Sequence, residues 1–198
     1  MAGALVLGAA GLGATGRAMA ARDTIEVRAP AGAIHGVLRF GGLSYPCAVG
    51  RSGIVAPKHE GDGGTPAGLF ALREVRYRPD RIPGPPKTGL PLYPTRPNDG
   101  WCDDPADPDY NRLVALPHQS DAEEMWLKGG AYDLLAVIGY NDAPTVPGAG
   151  SAVFLHVAHE DGGAFGATAG CVSLRLADLE AVLAGCGPGA MIDIRTGG

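Results

Sequence analysis

Glycine and proline interrupt this chain along its whole length and limit the folds open to it. The sequence contains 32 glycines and 17 prolines among 198 residues, and the apolar runs between them are short. Both residue types disfavour the interior of a helix, whereas short apolar runs separated by turns are typical of β-strands. The length suits one domain, and an apolar content of 45% is enough for a core. The sequence therefore predicts a single, mainly β domain with long loops.

The apolar runs predict seven strands. We expect them over residues 24–28, 36–40, 43–49, 69–77, 132–140, 152–158 and 191–195. Gly41 and Gly42 separate the second strand from the third and suit a tight hairpin turn. Prolines are dense between residues 79 and 117, which predicts a long irregular excursion there.

Two segments have the pattern of a short helix. Ser120-Asp121-Ala122-Glu123 matches a capping box and predicts a helix that contains Met125 and Trp126. A second helix, ending at Gly185, is predicted by apolar residues at helical spacing, namely Leu176, Leu179, Val182 and Leu183. The expected fold class is therefore mainly β, with a minor α component of one or two short helices.

Residues 1–22 differ in composition from the rest of the chain. They are apolar and rich in glycine and alanine, and no lysine or arginine precedes Arg17. Ala18-Met19-Ala20 resembles a cleavage site, but the missing positive charge and the glycines speak against a signal peptide. We interpret the segment as an N-terminal extension or a weak signal peptide, and we expect the domain over residues 23–198.

Charge and cysteine content narrow the possible partners. The formal net charge is −5 and there are only three lysines, which argues against nucleic acid as a partner. No pair among Cys47, Cys102, Cys171 and Cys186 forms Cys-x-x-Cys, so a zinc ribbon or a thioredoxin-like site is unsupported. Whether two of the cysteines form a disulfide stays open. No cofactor is expected, and we expect a monomer.

His156 and Cys171 are the residues most indicative of chemistry. His156 lies near the end of a predicted strand, and Cys171 follows Gly170 on a turn ahead of the second predicted helix. Histidine can take the proton of a thiol, and a nearby helix N-terminus favours the nucleophilic thiolate. The pattern predicts a thiolate–imidazole pair in which the pKa of Cys171 is lowered. The alternative is that Cys171 is a small core residue.

These residues resemble the signature of the YkuD-type L,D-transpeptidases, a histidine followed by a loop and then Ser/Thr-His-Gly-Cys. The matching positions are His156, Thr168, Gly170 and Cys171, while Ala169 stands where the family usually has a second histidine. The segment from Thr168 to Leu174 is similar to a branch of the family with Thr-x-Gly-Cys-Val-Ala-Leu. Residues 65–70, 100–105 and 110–111 also resemble this branch, and the resemblance covers roughly residues 35 to 195.

The resemblance implies a β-sandwich-like scaffold and an enzyme that acts on peptidoglycan stem peptides in the cell envelope or periplasm. Cys171 would attack the peptide carbonyl after diaminopimelate, release a terminal D-residue and form a thioester, which an amine of a second stem peptide resolves. His156 would be the base and later the acid, its ring oriented by the carbonyl of Val157 or a nearby group. The N–H groups of Gly170 and Cys171, with Ala169, would form the oxyanion hole.

Five residues are candidate substrate contacts, namely Thr168, Ala169, Tyr140, Asn141 and His159. Tyr140 and Asn141 are also explained by a turn built on Asn-Asp. His156, His159 and Cys171 lack the order of a helical zinc-protease motif, so no metal is expected there. The acidic run over residues 103–109 lacks the pattern of a calcium loop and is interpreted as a solvated loop. As an alternative, Trp101, Asp104 and Tyr110 would wall a cleft.

The chemistry leaves the second substrate open. With water as acceptor, the same pair would give an L,D-carboxypeptidase or a hydrolase that cleaves crosslinks. A non-catalytic cell-wall binding domain is a further alternative, which the loss of the family histidine at Ala169 favours slightly. The presence of both Cys171 and His156 argues against it, since a binding module needs neither.

Overall fold

A computed structural model describes residues 24–161 and 164–197 of the chain. The predicted extension or signal peptide over residues 1–22 lies outside the described residues. The strands are β1 (Thr24–Ala29), β2 (His35–Phe40), β3 (Leu43–Ala48), β4 (Ile54–Val55), β5 (Thr65–Pro66), β6 (Gly68–Tyr77), β7 (Leu92–Pro94), β8 (Asp99–Cys102), β9 (Leu113–Ala115), β10 (Ala122–Glu124), β11 (Leu134–Ile138), β12 (Phe154–Val157), β13 (Glu160–Asp161), β14 (Ala164–Phe165), β15 (Val172–Leu174) and β16 (Met191–Thr196). One helix, α1 (Leu176–Ala184), occurs in this part of the chain. The prediction of a mainly β domain is confirmed.

The main sheet closes on itself. Its nine strands follow the order β11-β12-β15-β3-β2-β1-β16-β6-β7, and β6 also pairs with β11. This closure is possible because β6 is ten residues long and uses different stretches for its neighbours. Gly68 to Ala71 pair with β16, whereas Leu72 to Tyr77 pair with β11. The two layers expected of a sandwich are therefore parts of one continuous sheet.

All seven predicted strands are present, with boundaries shifted by a few residues. The hairpin of β2 and β3 turns at Gly41 and Gly42, whose φ angles of 58° and 82° suit a two-residue turn between twisted strands. The predicted excursion between residues 79 and 117 is only partly irregular, because β8, β9 and β10 form a separate three-stranded sheet.

Helix α1 covers one face of the main sheet. Its buried residues are Leu179, Val182 and Leu183, which belong to the same core as Ile25, Leu155 and Ile192. The helix ends at Gly185, as predicted, but the reason differs. Gly185 has a φ of −90°, and a β-carbon there would lie 2.7 Å from the ring of Phe40. Glycine is needed here for close packing and not for a left-handed turn.

The prediction of a helix that begins at the capping box of Ser120 is wrong. Residues 122–124 form β10, and Ala122 and Glu123 pair with Cys102 and Trp101 of β8. Ser120 Oγ donates to Asp107 Oδ2 at 2.7 Å instead of capping a helix, and Glu123 accepts a hydrogen bond from the hydroxyl of Tyr132. Tertiary partners thus use the side chains that would have stabilised a first helical turn.

The four cysteines, all in the described part of the chain, are buried and form no disulfide. No helix in the described ranges is long and apolar enough to cross a membrane.

Candidate active site

His156 and Cys171 are placed by two neighbouring parallel strands. His156 lies on β12 and pairs with Ser173 of β15, and Leu155 pairs with Val172. Cys171 comes directly before β15, where the backbone N–H of Phe154 points at its Sγ at 3.3 Å. A short strand therefore stands between Cys171 and helix α1. Cys171 follows the turn at Gly170, as predicted, but the prediction that the helix N-terminus lies next to Cys171 is wrong, because β15 separates the two.

The two residues share a cavity of about 310 Å³. Six of the eight predicted site residues line it, namely Cys171, His156, Gly170, Thr168, Ala169 and His159. His159 and Ala169 are exposed at the rim, whereas Cys171 is only 5% exposed. Cys171 is nevertheless the most exposed of the four cysteines, since the others are exposed by at most 2%. A ligand in the cavity could reach its sulfur.

The thiol of Cys171 is held by backbone groups. It donates to the carbonyl of Ala152 at 3.2 Å and accepts from the N–H of Phe154 at 3.3 Å. Burial raises its pKa to about 12, and the negative charge of Glu123 adds to the rise. The prediction of a lowered pKa is therefore contradicted, because β15 separates Cys171 from the helix N-terminus and the thiol is desolvated. Cys171 rests as a neutral thiol.

The ring of His156 is oriented by the main chain. Its Nδ1 lies 2.9 Å from the carbonyl oxygen of Val157, which confirms the predicted orienting group. Nδ1 must carry the proton to donate there, so Nε2 has a free lone pair. Burial lowers the pKa of His156 to about 4, an effect that the carbonyls of Val157 and Ala131 partly oppose. His156 is therefore a neutral base at physiological pH.

At rest, the thiol of Cys171 donates its hydrogen bond to the carbonyl oxygen of Ala152 and not to His156. The hydrogen bonds of the two side chains in the described structure do not include one between them. Rotation of the thiol away from the Ala152 carbonyl is thus the motion needed for a base to receive its proton. Catalytic hydrogen bonds in unliganded enzymes are often long and form fully only with substrate.

Two threonine hydroxyls fix the backbone of Cys171. The carbonyl oxygen of Cys171 accepts from Thr168 Oγ1 at 2.7 Å and from Thr65 Oγ1 at 2.9 Å. Thr65 is itself positioned by the N–H of Gly50 at 2.8 Å. Thr168 thus has a structural task besides its predicted contact with substrate. The role of Thr65 was not predicted, although it lies in a segment that carries the family resemblance.

Gly170 is required for the shape of this turn. Its φ is +152°, and a β-carbon would lie 3.0 Å from the carbonyl oxygen of Gly64 and 3.4 Å from Lys58 Nζ. Its N–H donates to Thr168 Oγ1 at 3.2 Å. This is a long hydrogen bond, and it must yield if the N–H is to serve an oxyanion. An oxyanion hole built from Gly170, Cys171 and Ala169 stays a prediction.

Charged residues far away in the sequence also reach the cavity. Lys58, Asp103 and Glu123 line it together with Cys171. Lys58 Nζ forms an ion pair with Asp62 at 2.8 Å. Burial raises the pKa values of Asp103 and Glu123, and neighbouring carboxylates raise them further. Lys58, Asp103 and Glu123 were not predicted as site residues. No local sequence pattern shows that their segments, which are far apart in the sequence, converge on Cys171.

An aromatic column supports the base. The ring of His156 meets the ring of Tyr132 edge to face at 5.5 Å, Tyr132 meets Phe154 in the same way, and Phe154 meets Trp101 at 5.1 Å. The hydroxyl of Tyr132 donates to Glu123 at 2.7 Å. Edge-to-face contacts are favourable for aromatic rings, so the column limits the orientations open to His156.

Tyr140 and Asn141 are not among the residues that line the cavity. The hydroxyl of Tyr140 donates to the carbonyl of Ala149 at 2.6 Å, and Asn141 bonds to the backbone of Val146 and Gly150. These bonds hold the loop before β12, which agrees with the turn interpretation. Their contact with substrate stays a prediction.

The motif residue Asn111 links this loop to the nucleophile. Its Nδ2 donates to the carbonyls of Tyr140 and Asn141, and its Oδ1 accepts from Trp101 Nε1 at 3.0 Å. Oδ1 also accepts from the N–H of Ala152 at 3.1 Å. Asn111 thereby positions Ala152, whose carbonyl oxygen accepts the hydrogen bond of the Cys171 thiol. Trp101 belongs to this support, and the hydroxyl of Tyr110 accepts from the N–H of Gly150 at 3.0 Å. Neither of them nor Asp104 is among the residues that line this cavity.

A sequence profile of the YkuD family, described as the L,D-transpeptidase catalytic domain, matches residues 25–194. The chain therefore belongs to the YkuD family of L,D-transpeptidase catalytic domains. A search of curated protein sequences gave no significant match.

Among solved structures, the chain matches the crystal structure of Mycobacterium tuberculosis L,D-transpeptidase 1 with 12% sequence identity and a TM-score of 0.37. The match covers 88% of this chain and 63% of that chain. The chain thus spans less than two thirds of the length of that protein. A similarity this low supports no conclusion about shared function.

Proposed function

We propose that this domain catalyses cysteine-dependent acyl transfer on peptidoglycan stem peptides, with Cys171 as nucleophile and His156 as general base. The observation that carries the proposal is that both side chains line one cavity, on neighbouring parallel strands of a YkuD-family domain. The neutral form of His156, with Nδ1 bound to a carbonyl and Nε2 free, is the form that a base requires.

The first half-reaction begins from a neutral pair. The thiol of Cys171 gives its proton to Nε2 of His156 while the sulfur bonds to the carbonyl carbon of the donor peptide. The carbonyl π-electrons move to oxygen and return as the C–N bond breaks. His156 then gives the proton to the leaving amine of the terminal residue. The products are a thioester on Cys171 and the released residue.

The second half-reaction repeats these roles with a new nucleophile. An amine of a second stem peptide loses a proton to His156 and attacks the thioester carbonyl. The C–S bond breaks, the sulfur recovers its proton from the imidazolium, and a new amide is released. Water in place of the amine gives a carboxypeptidase instead, so the choice of acceptor distinguishes a transferase from a hydrolase.

The raised pKa of Cys171 has a consequence for timing. Ionisation before substrate binds is disfavoured by burial, so proton transfer and attack must be closely linked. An oxyanion and an imidazolium form at the same time, and each offsets the charge of the other. Desolvation of the cavity by a bound peptide strengthens that attraction.

The carboxylates at the cavity favour a donor that carries a positive charge. Asp103 and Glu123 lie in a desolvated wall, and one oxygen of Asp103 is buried without a hydrogen-bond partner. An ammonium group, such as the one on the side chain of diaminopimelate, would satisfy both carboxylates. This charge suits a stem-peptide donor, which we propose the protein meets in the cell envelope or periplasm.

Product analysis tests the proposal. The purified protein is incubated with a stem tetrapeptide that contains diaminopimelate, with and without an acceptor stem peptide, and the products are identified by mass spectrometry. We expect release of the terminal D-residue and a crosslinked product when acceptor is present, and neither with Cys171→Ala. Release without crosslinking would identify a hydrolase, and binding without release would identify a binding module.

A further inference from the structure

A second cysteine and a second histidine meet outside the cavity. Cys102 ends β8, Asp107 lies in the loop that follows, and His118 comes after β9. The sulfur of Cys102, a carboxylate oxygen of Asp107 and an imidazole nitrogen of His118 all lie within 4.8 Å of one another. The three ligand types therefore converge from three separate segments, and none of the three residues lines the cavity of Cys171.

The carboxylate of Asp107 is fixed in its direction. Oδ1 accepts from the N–H of Asp109 at 2.7 Å, and Oδ2 accepts from Ser120 Oγ at 2.7 Å. The Asp107 side chain is 10% exposed. The interpretation of residues 103–109 as a solvated loop is thus incomplete, since Asp107 turns inward. An acid held by two outer partners resembles the supported carboxylate of a metal site.

The nitrogen of His118 that faces Asp107 lies at the distance of an ion pair from its carboxylate. Nε2 lies 3.3 Å from Asp107 Oδ2, yet it is buried and makes no hydrogen bond. Two ligand atoms about 2.0 Å from a tetrahedral zinc ion are separated by about 3.3 Å. The observed separation is therefore the one that two ligands of a shared ion would have.

The surroundings of Cys102, Asp107 and His118 carry negative charge. Asp103 and Asp104 follow Cys102 directly in the sequence, and Asp107 is close by. Within residues 24–161 and 164–197, no lysine or arginine forms an ion pair with any of these three carboxylates. A divalent cation would offset this charge, whereas a thiolate alone would add to it.

We propose that Cys102, Asp107 and His118 bind one divalent metal ion of the zinc type. Thiolate, imidazole and carboxylate together suit Zn²⁺ or Co²⁺, with water as the fourth ligand of a tetrahedron. On binding, the thiol of Cys102 releases its proton to solvent and the sulfur bonds to the metal, while His118 binds through Nε2 as neutral imidazole.

The site would brace one wall of the cavity. Cys102 pairs with Ala122, so the metal would tie β8 and the two loops beside it to β10. Asp103 and Glu123, which line the cavity, follow the paired residues directly in sequence. The ion has a structural task and takes no part in acyl transfer. The proposal therefore stands or falls separately from the proposed function.

Cobalt binding provides the test. The whole protein, freed of metal with a chelator, is titrated with Co²⁺ while its absorption spectrum is followed. We expect one equivalent to bind with visible bands of tetrahedral cobalt and a thiolate-to-cobalt charge-transfer band in the near ultraviolet. One equivalent of Zn²⁺ should remove these bands and raise Tm.

Variants assign the ligands. Cys102→Ser should remove the charge-transfer band, and His118→Gln and Asp107→Asn should each abolish stoichiometric binding. Ser120→Ala, which removes only an outer partner of Asp107, should weaken binding about 10-fold. Cys186→Ser, another buried cysteine, is the matched control and should bind as the wild type does. Circular dichroism checks that each variant is folded.

Two results would overturn the proposal. One is the absence of a thiolate–cobalt band in the folded wild type at stoichiometric Co²⁺. The other is a band that persists in Cys102→Ser and disappears in Cys171→Ala, which would place the metal in the cavity. Chelator treatment should lower Tm while acyl transfer at low temperature continues, because the ion is not part of the chemistry.

Discussion

Cysteine meets histidine at two places in this molecule, and their surroundings differ in three ways. Cys171 and His156 line a cavity, whereas Cys102 and His118 lie outside it. A backbone carbonyl orients His156, whereas a carboxylate lies 3.3 Å from His118. The thiol of Cys171 has two backbone partners on the segment that enters β12, whereas Cys102 faces a negatively charged loop.

These differences show how surroundings select the chemistry of the same residue types. An open cavity and an uncharged base allow the sulfur to add to a carbonyl carbon while the base takes the thiol proton. A thiol and an imidazole beside a carboxylate that two hydrogen bonds hold in place instead favour a cation. Each site can therefore be changed while the other serves as its control.

The largest expected effect is on turnover at the nucleophile. Cys171→Ala should lower the rate of acyl transfer by about 10³-fold or more, because no other group can form the thioester. Cys102→Ser should keep the rate within about threefold at a temperature where the variant is folded. The measurement is the rate of product formation by liquid chromatography. Equal losses in both variants would mean that the two sites are not functionally separate.

Removing the base should have the next largest effect. His156→Gln should lower kcat/KM by about 10²- to 10⁴-fold, the usual contribution of general base catalysis. His118→Gln should leave kcat/KM close to that of the wild type while it abolishes cobalt binding. Steady-state kinetics on both variants decide this. An unaffected His156→Gln would show that another group takes the thiol proton.

Glu123 offers a test of substrate charge. Glu123→Gln keeps a hydrogen-bond acceptor for Tyr132 but removes the negative charge, so a donor with a side-chain ammonium should lose about 10-fold in kcat/KM. A donor in which that amine is acetylated should be processed equally by the wild type and the variant. If the variant affects both donors alike, Glu123 acts on the catalytic pair and not on the substrate.

A smaller effect concerns the pH dependence of alkylation. Because burial raises the pKa of Cys171 to about 12, the thiolate is scarce at neutral pH and grows about tenfold per pH unit. The rate of reaction with iodoacetamide, followed by peptide mass spectrometry, should rise in this way from pH 6 to pH 9. A rate that is already maximal near pH 6 would indicate a preformed thiolate–imidazolium pair, which is what the sequence pattern predicts.

The lowered pKa of His156 should make the free energy of unfolding depend on pH. Its pKa is lowered to about 4 from an ordinary value near 6.5, so the unfolded chain binds the proton more tightly than the folded one. The stabilising contribution is complete above pH 6.5 and is lost as the pH falls towards 4. Denaturant unfolding should show a smaller change over this window for His156→Gln than for the wild type. An identical change in both would show that His156 is not desolvated.

Much of the fold could be predicted because it depends on local periodicity. The alternating and apolar runs that form β1, β6, β11 and β12 are visible in the sequence, as is the spacing of the apolar residues of α1. The capping box at Ser120 failed because its side chains bond to Asp107 and Tyr132, which are distant partners. Closure of the sheet through β6 depends on pairing that no local pattern shows.

The residues of the candidate active site also fall into two groups, those that the local sequence predicts and those that it does not. His156, Gly170 and Cys171 lie in one short stretch, so their spacing alone indicates a catalytic pair. The carboxylates of Asp103 and Glu123 lie at the cavity because the separate sheet of β8, β9 and β10 packs beside it. No local sequence pattern shows that packing. The predicted electrostatics of Cys171 are wrong for a related reason. Three residues of strand separate it from the helix, and burial then dominates its pKa.

Trapping the acyl-enzyme tests the central claim most directly. The protein is mixed with a stem tetrapeptide donor in the absence of acceptor, quenched in acid and analysed by intact-protein and peptide mass spectrometry. We predict an added mass equal to the donor minus its terminal residue, located on the peptide that contains Cys171. The adduct should also form in Cys102→Ser and be absent in Cys171→Ala. An adduct that persists in Cys171→Ala, or one located on another residue of the wild type, would contradict the assignment of Cys171 as the nucleophile.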